Sequence, residues 1–272
     1  MEIPFTKMHG CGNDFVFIDC LKNEIGDLEK VAKQLCDRRF GIGADQLLTV
    51  HPSKLGDFKM EIYNADGGQV EMCGNGIRCF AKYVYNHGLT DKQELEVETL
   101  AGIIRPRIVG DLVEVDMGEP VLEGRKIPVD ADGQIVNRPL TVDGKTYEVT
   151  CVSMGNPHCV IYLDEIDSLD LEKIGPLFEN HAFFPKRVNT EFIKIITPRE
   201  VKMRVWERGA GETWACGTGA CAVGVAGVMT GRTERKLTLH LKGGDLFIEW
   251  RDNNRVYMTG AAEEVFRGTV LV

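Results

Sequence analysis

Short apolar stretches alternate with tight polar turns along most of the chain, and few segments carry a helix-length pattern. Asp27 caps an amphipathic helix running to about Arg38, with Leu28, Val31, Ala32 and Leu35 at helical spacing. Further helices are expected over Gly74 to about Asn86, Leu169 to Glu179 and Gly217 to Thr230. The last is small and apolar on every face, which implies burial all round. Pro4 to Asp19 reads as extended structure broken at Gly10 to Asp14. Strands are expected at 47–50, 59–63, 94–99, 103–109, 112–117, 147–153, 159–163, 191–196, 201–206, 237–241, 246–250 and 256–260. The Gly-x-Gly-x-x-Gly turn and downstream acid of a dinucleotide-binding unit do not fall into place.

The pattern repeats. Met72-Cys73-Gly74-Asn75-Gly76 has an echo in Ala215-Cys216-Gly217-Thr218-Gly219, each a cysteine ahead of a Gly-x-Gly that opens an apolar helix. A constant shift of 143 residues (216 − 73) carries Met60 onto Met203, Tyr63 onto Trp206, Asn64 onto Glu207 and Gly88 onto Gly231. The same shift takes Gly12-Asn13 onto Gly155-Asn156 and Gln46 onto Asn189. Such a period is too long for a solenoid. It predicts a duplicated α+β domain: two pseudo-symmetric halves, each a mostly antiparallel curled sheet around a central helix, with the active site in the cleft between them. The expected boundaries are 1–117 and 118–261.

Composition narrows the class. A net charge of −9 without a basic stripe argues against nucleic acid as a partner. The longest apolar run, Ala220 to Met229, is too short and glycine-rich to span a bilayer, and no leader pattern opens the chain, so a cytoplasmic protein is expected. Nine cysteines without a Cys-x-x-Cys fit neither a disulfide scaffold nor a zinc knuckle. Most are expected to be packed hydrophobes, Cys79 and Cys221 included.

Cys73 and Cys216 differ because each sits at a helix N-cap, where the dipole and adjacent amides are expected to lower a thiol from roughly 8.5 toward neutrality. Two opposed thiols suit two-base proton transfer, in which one removes a proton from carbon and the other delivers one to the opposite face. Backbone amides at Gly74, Asn75, Gly217 and Thr218 are placed to hold a carboxylate and the charge that builds on it, without a cofactor or metal. His158 and Glu207 are candidates for tuning a thiol or meeting an ammonium. Arg208 could pair a second carboxylate, and Asn13, Asn64, Asn156 and Asn189 are candidate substrate contacts.

These motifs together resemble the diaminopimelate epimerase family. The likeness rests on His9-Gly10-Cys11-Gly12-Asn13-Asp14-Phe15, Gly41-Ile42-Gly43-Ala44-Asp45-Gln46, Asn64-Ala65-Asp66-Gly67, Met72 to Cys79, Met154-Gly155-Asn156-Pro157-His158, and Glu207 to Ala220. The resemblance implies Cys73 and Cys216 as the acid/base pair of a pyridoxal-independent epimerase that converts L,L- to meso-diaminopimelate for lysine and cell-wall synthesis. It implies substrate contacts from Asn13, Gln46, Asn64, Gly74, Asn75, Asn156, Asn189, Glu207, Arg208, Gly217 and Thr218, with His158 and Glu207 tuning the thiols. It also implies a homodimer, and a C-terminal strand (about 262–272) returning to the first domain. Gly68, Tyr63 and Trp214 depart from the family's usual residues. A proline racemase-like enzyme is the alternative with the same two-cysteine chemistry, and a non-catalytic thiol or metal-binding protein a remote one.

Overall fold

The structure is a computed structural model and describes residues 2–21 and 25–272. It divides into one unit of Met1–Asp116 with Gly260–Val272, and a second of Met117–Thr259.

In the first unit the chain forms β1 (Glu2–Gly10), β2 (Asn13–Asp19), α1 (Leu28–Cys36), β3 (Gln46–His51), β4 (Phe58–Asn64), β5 (Gln69–Val70), α2 (Gly74–Asn86), β6 (Val97–Thr99), β7 (Gly102–Ile104), β8 (Pro106–Val109) and β9 (Leu112–Asp116). The chain's last strand, β19 (Glu263–Leu271), belongs to this unit and pairs antiparallel with β1. The sheet order is β19-β1-β2-β3-β4-β6-β7, with β5 attached to β4. Among the described residues of this unit, the β2–β3 and β4–β6 pairs are parallel and the others antiparallel. Asp27 caps α1 by accepting from the Lys30 amide, and Val31, Ala32 and Leu35 pack with Val16, Ile18 and Leu47 on one face of the sheet. On the other face α2 buries Ile77, Cys79, Phe80 and Val84, and Tyr83 stacks on Phe17 at 5.1 Å.

The second unit forms β10 (Arg138–Val142), β11 (Lys145–Ser153), β12 (Pro157–Tyr162), α3 (Leu171–Glu179), β13 (Asn189–Thr197), β14 (Glu200–Glu207), β15 (Gly211–Thr213), α4 (Gly217–Met229), β16 (Lys236–Leu241), β17 (Gly244–Trp250) and β18 (Val256–Ala261). Its order from β10 through β11, β12, β13, β14 and β16 to β17, with β15 on β14, repeats that of the first unit, and β18 follows β17. The 143-residue shift holds for register as well. Phe15 opposite Gln46 becomes His158 opposite Asn189, and Leu47 opposite Tyr63 becomes Thr190 opposite Trp206. It carries α1 onto α3 and α2 onto α4, residue for residue. The apolar helix α4 is buried at every position from Gly219 to Gly227, as its composition predicts. The fold is thus α+β, built of two like halves.

Local structure departs from the sequence reading in a few places. The stretch 103–109, expected as one strand, breaks at Arg105: β7 pairs with β6, whereas β8 turns to pair with β9. Pro106 lacks the amide that would continue the β7 ladder. Only Val97–Thr99 of the expected 94–99 strand lies in the sheet, with Glu94 in an isolated bridge to Arg107. Among the described residues no helix is long and apolar enough to cross a membrane.

Candidate active site

Each buried helix begins on a cysteine in extended backbone, with glycine as the third helical residue. Cys73 (φ −137°, ψ 118°) caps α2, and its sulfur accepts the Gly76 amide at 3.4 Å. Cys216 (φ −118°, ψ 108°) caps α4 and accepts the Gly219 amide at 3.4 Å. Glycine is needed there because the strand beneath comes so close. A Cβ on Gly76 would meet Leu48 Cδ2 at 3.2 Å, and one on Gly219 would meet Glu191 Oε1 at 2.7 Å and the Cys216 sulfur at 3.2 Å. Gly74, and likewise Gly217 and Thr218, occupy the first helical positions, whose amides find no acceptor within a helix ladder and so suit an anion.

Around Cys73 the structure gathers neutral polar groups. The thiol lies 3.6 Å from Asn13 Oδ1, which also accepts from Asn75 Nδ2 at 3.3 Å. Asn13 is anchored by donating to Asp45 Oδ2 at 2.8 Å, and Arg38 bridges Asp45 to Asp14. Gln46 and Asn64 form a separate pair, Nε2 to Oδ1 at 2.8 Å, on neighbouring strands. Arg78, fully buried in α2, donates to the carbonyls of Gly74 and Ala261, each at 3.3 Å.

Around Cys216 the groups are ionisable. Glu207 accepts from the Thr213 hydroxyl and the Cys216 thiol. Thr218 Oγ1 is 3.5 Å from the sulfur. His158 is held between two acceptors, Glu191 Oε1 at 2.7 Å from Nδ1 and Asn156 Oδ1 at 2.9 Å from Nε2. Among the described residues, His158, Glu191 and Cys216 are the set that could hold a metal, their ligand atoms lying within 4.8 Å of one another. Asn189 is buried and ties strand to turn: it donates to the Pro157 carbonyl and accepts the Arg208 amide, both at 2.9 Å. Arg208 is exposed and donates to the Lys186 carbonyl at 3.0 Å.

Electrostatics correct one expectation. Cys216 is pushed well up, not toward neutrality, chiefly by burial and then by the carboxylates of Glu207 and Glu191; the Thr218 hydroxyl and Gly219 amide oppose this but do not prevail. A helix terminus contributes about 0.3–1 kcal/mol, less than desolvating a thiolate beside two carboxylates. Glu207 is itself pushed up by burial, against hydrogen bonds from Thr213 and Cys216. Cys79, fully buried, is pushed up by the same desolvation, as expected of packed thiols.

The sequence reading therefore named the groups nearest each sulfur except Glu191, Thr213 and the Asp45 anchor. Glu191 had a legible signal: a charged residue on the same strand face as Asn189, in a position the repeat fills with leucine. Of the residues that depart from the family's usual pattern, Trp214 is exposed with Lys242 over its ring at 5.5 Å.

Comparison with known proteins agrees with this architecture along the whole chain. The family model for diaminopimelate epimerase matches residues 5–123 and 150–265, which include both helix-capping cysteines. The chain is 53% identical over 272 residues to a diaminopimelate epimerase of Pelotomaculum thermopropionicum, covering 97% of each chain. It is 55% identical over 273 residues to that of Acetivibrio thermocellus, covering 98% of each. A phenazine biosynthesis protein of the PhzF family from Bacillus anthracis has the same fold, with a TM-score of 0.73 at 15% identity and full coverage of both chains. A hydroxyproline epimerase from Agrobacterium vitis shares it at a TM-score of 0.64 and 12% identity, over 99% of this chain and 92% of the other. Two like units, each presenting a cysteine at the start of a buried helix, and identity above one half across the full length make the chain a member of the diaminopimelate epimerase family.

Proposed function

We propose that this chain interconverts L,L- and meso-diaminopimelate by inverting one α-carbon, with Cys73 and Cys216 as the two bases. The observation that carries this is the like placement of the two thiols, each the N-cap of a buried helix whose third residue is glycine. In each turnover one cysteine, as thiolate, takes the α-proton and becomes a thiol. The other, as thiol, gives its proton to the opposite face and becomes a thiolate. Protons balance, and no electrons leave the pair. First-turn amides such as those of Gly74, Gly217 and Thr218 suit the α-carboxylate and the charge that builds on it as the carbanion forms. Arg208, exposed beyond the end of β14, suits the distal carboxylate by its planar fork. Asn13, Gln46, Asn64, Asn75, Asn156, Asn189 and Glu207 are proposed to orient the rest of the substrate, with His158 and Glu207 setting the ionisation of Cys216.

The same reading includes a cytoplasmic homodimer. Support for the dimer is β19, an edge strand that exposes Val265, Phe266 and Leu271 on its length.

The test is incubation of the protein with L,L-diaminopimelate in deuterated water. Meso product carrying one deuteron at the inverted α-carbon is expected, with turnover unchanged by a chelator and lost in Cys73→Ala and Cys216→Ala proteins that remain folded. Inversion without solvent label, or near-normal turnover in either cysteine variant, would overturn the two-thiol mechanism.

A further inference from the structure

The two units match in helix lengths and strand register, but they differ in what stands behind the thiol. The 143-residue shift carries Phe15 onto His158 and Leu48 onto Glu191. All four side chains are fully buried and lie on the sheet face beneath the capped helix. Leu48 touches the turn of α2 at Gly76, and Glu191 touches the turn of α4 at Gly219. The first unit therefore shows that a leucine and a phenylalanine satisfy the fold at these two places.

The second unit instead buries a carboxylate and an imidazole. Oε1 of Glu191 binds His158, while its Oε2 has no hydrogen-bond partner among the described residues. A buried charge with an unsatisfied oxygen is less favourable for folding than an apolar pair of similar volume. The fold gains nothing from it that Leu48 does not provide. What it does place is a carboxylate against the first turn of α4, with its ligand atom within 4.8 Å of the Cys216 sulfur. The strands packed on that turn present Glu191 from β13, His158 from β12 and Glu207 from β14, and α4 itself carries no charged residue.

We propose that Glu191 is a positioning residue for the Cys216 half of the reaction: it fixes the His158 ring and, beside Glu207, sets a second carboxylate behind the thiol that gives its proton. The two thiols are then chemically unlike, although each caps a 13-residue helix from extended backbone. This rests on the two-cysteine reading above, and its test needs no turnover.

The experiment is alkylation of the free protein by iodoacetamide across a pH series, with modification at Cys73 and Cys216 resolved by mass spectrometry. In Glu191→Gln the midpoint for Cys216 is expected to move down by about one pH unit, while that for Cys73 stays in place. kcat should fall about tenfold with KM held within about twofold. The double variant His158→Phe, Glu191→Leu, which installs the first unit's own pair, should melt no lower than the parent and show the same downward move at Cys216. An unmoved Cys216 midpoint, equal movement of both cysteines, or a double variant that melts below the parent would overturn the proposal and make Glu191 a structural residue. Absence of solvent label in the epimerisation assay of the parent, with the alkylation shift intact, would instead count against the two-base mechanism alone.

Discussion

Asn13 Oδ1 faces the Cys73 sulfur at 3.6 Å, so a neutral amide oxygen stands beside this thiol, where carboxylates stand beside Cys216. Substituting Asn13→Asp would put a charge in that place while keeping the side chain's size. The Cys73 thiolate is then disfavoured, and kcat is expected to fall by roughly 10- to 100-fold. Site-resolved alkylation should move to higher pH at Cys73 and stay put at Cys216. Full activity in this variant would mean that the thiol does not ionise during turnover.

The support under Asn13 is sensitive to acid. Burial pushes the Asp14 carboxyl up, but hydrogen bonds from Arg38, Lys7 and the Asp45 amide outweigh it and hold the group at about 2, against 3.8 ordinarily. A carboxyl lowered by folding stabilises the protein above its unfolded value and ceases to do so as pH falls through its folded one. Stability worth about 2 kcal/mol should therefore be lost between roughly pH 4 and pH 2. Denaturant melts across that range should show the slope in the parent and lack most of it in Asp14→Asn.

Gly219 has no room for a side chain. A Cβ would sit 2.7 Å from Glu191 Oε1, an atom already fixed by His158. Gly219→Ala is expected to lose about 1–3 kcal/mol of stability and at least tenfold in kcat, since sub-ångström displacement of a reacting group is costly. Gly76→Ala, opposed by the end of Leu48 at 3.2 Å, should be milder in stability. Equal losses from the two substitutions, measured by melting and steady-state kinetics, would contradict the difference in what stands behind each turn.

Arg208 offers a planar fork that lysine cannot reproduce. Arg208→Lys should raise KM about tenfold with little change in kcat, because the contact is proposed at the distal end of the substrate, away from the proton transfer. A fall confined to kcat would place this side chain at the reacting carbon instead.

Much of the fold was legible because duplication makes the chain its own comparison. The shift that aligns Cys73 with Cys216 also sets both helix lengths and the strand registers, and helix α2 runs over the residues its pattern implies. Boundaries blurred where a single residue decides pairing, as at Pro106, and short strands such as β5 and β15 carry too few residues to show a period. The neighbours of the thiols were less legible. Asn13 was named as a substrate contact, yet it also lies against the Cys73 sulfur, 60 residues away in sequence. The expectation of a low thiol value counted the helix terminus but not the burial of Cys216, which outweighs it, nor how close Glu207 and Glu191 come once β14 and β13 are laid against α4.

The first unit draws its edge strand, β19, and the Ala261 carbonyl that receives Arg78 from the end of the chain, whereas the second unit is continuous from Met117 to Thr259. On a ribosome the second unit is wholly synthesised before the first has its last strand. Until β19 emerges, β1 is paired with β2 alone and must stay soluble with its other edge open. Assembly of the sheet under the Cys73 helix thus waits on β19, and a chain cut short after Ala261 would hold every strand of the second unit but leave the first without its edge strand.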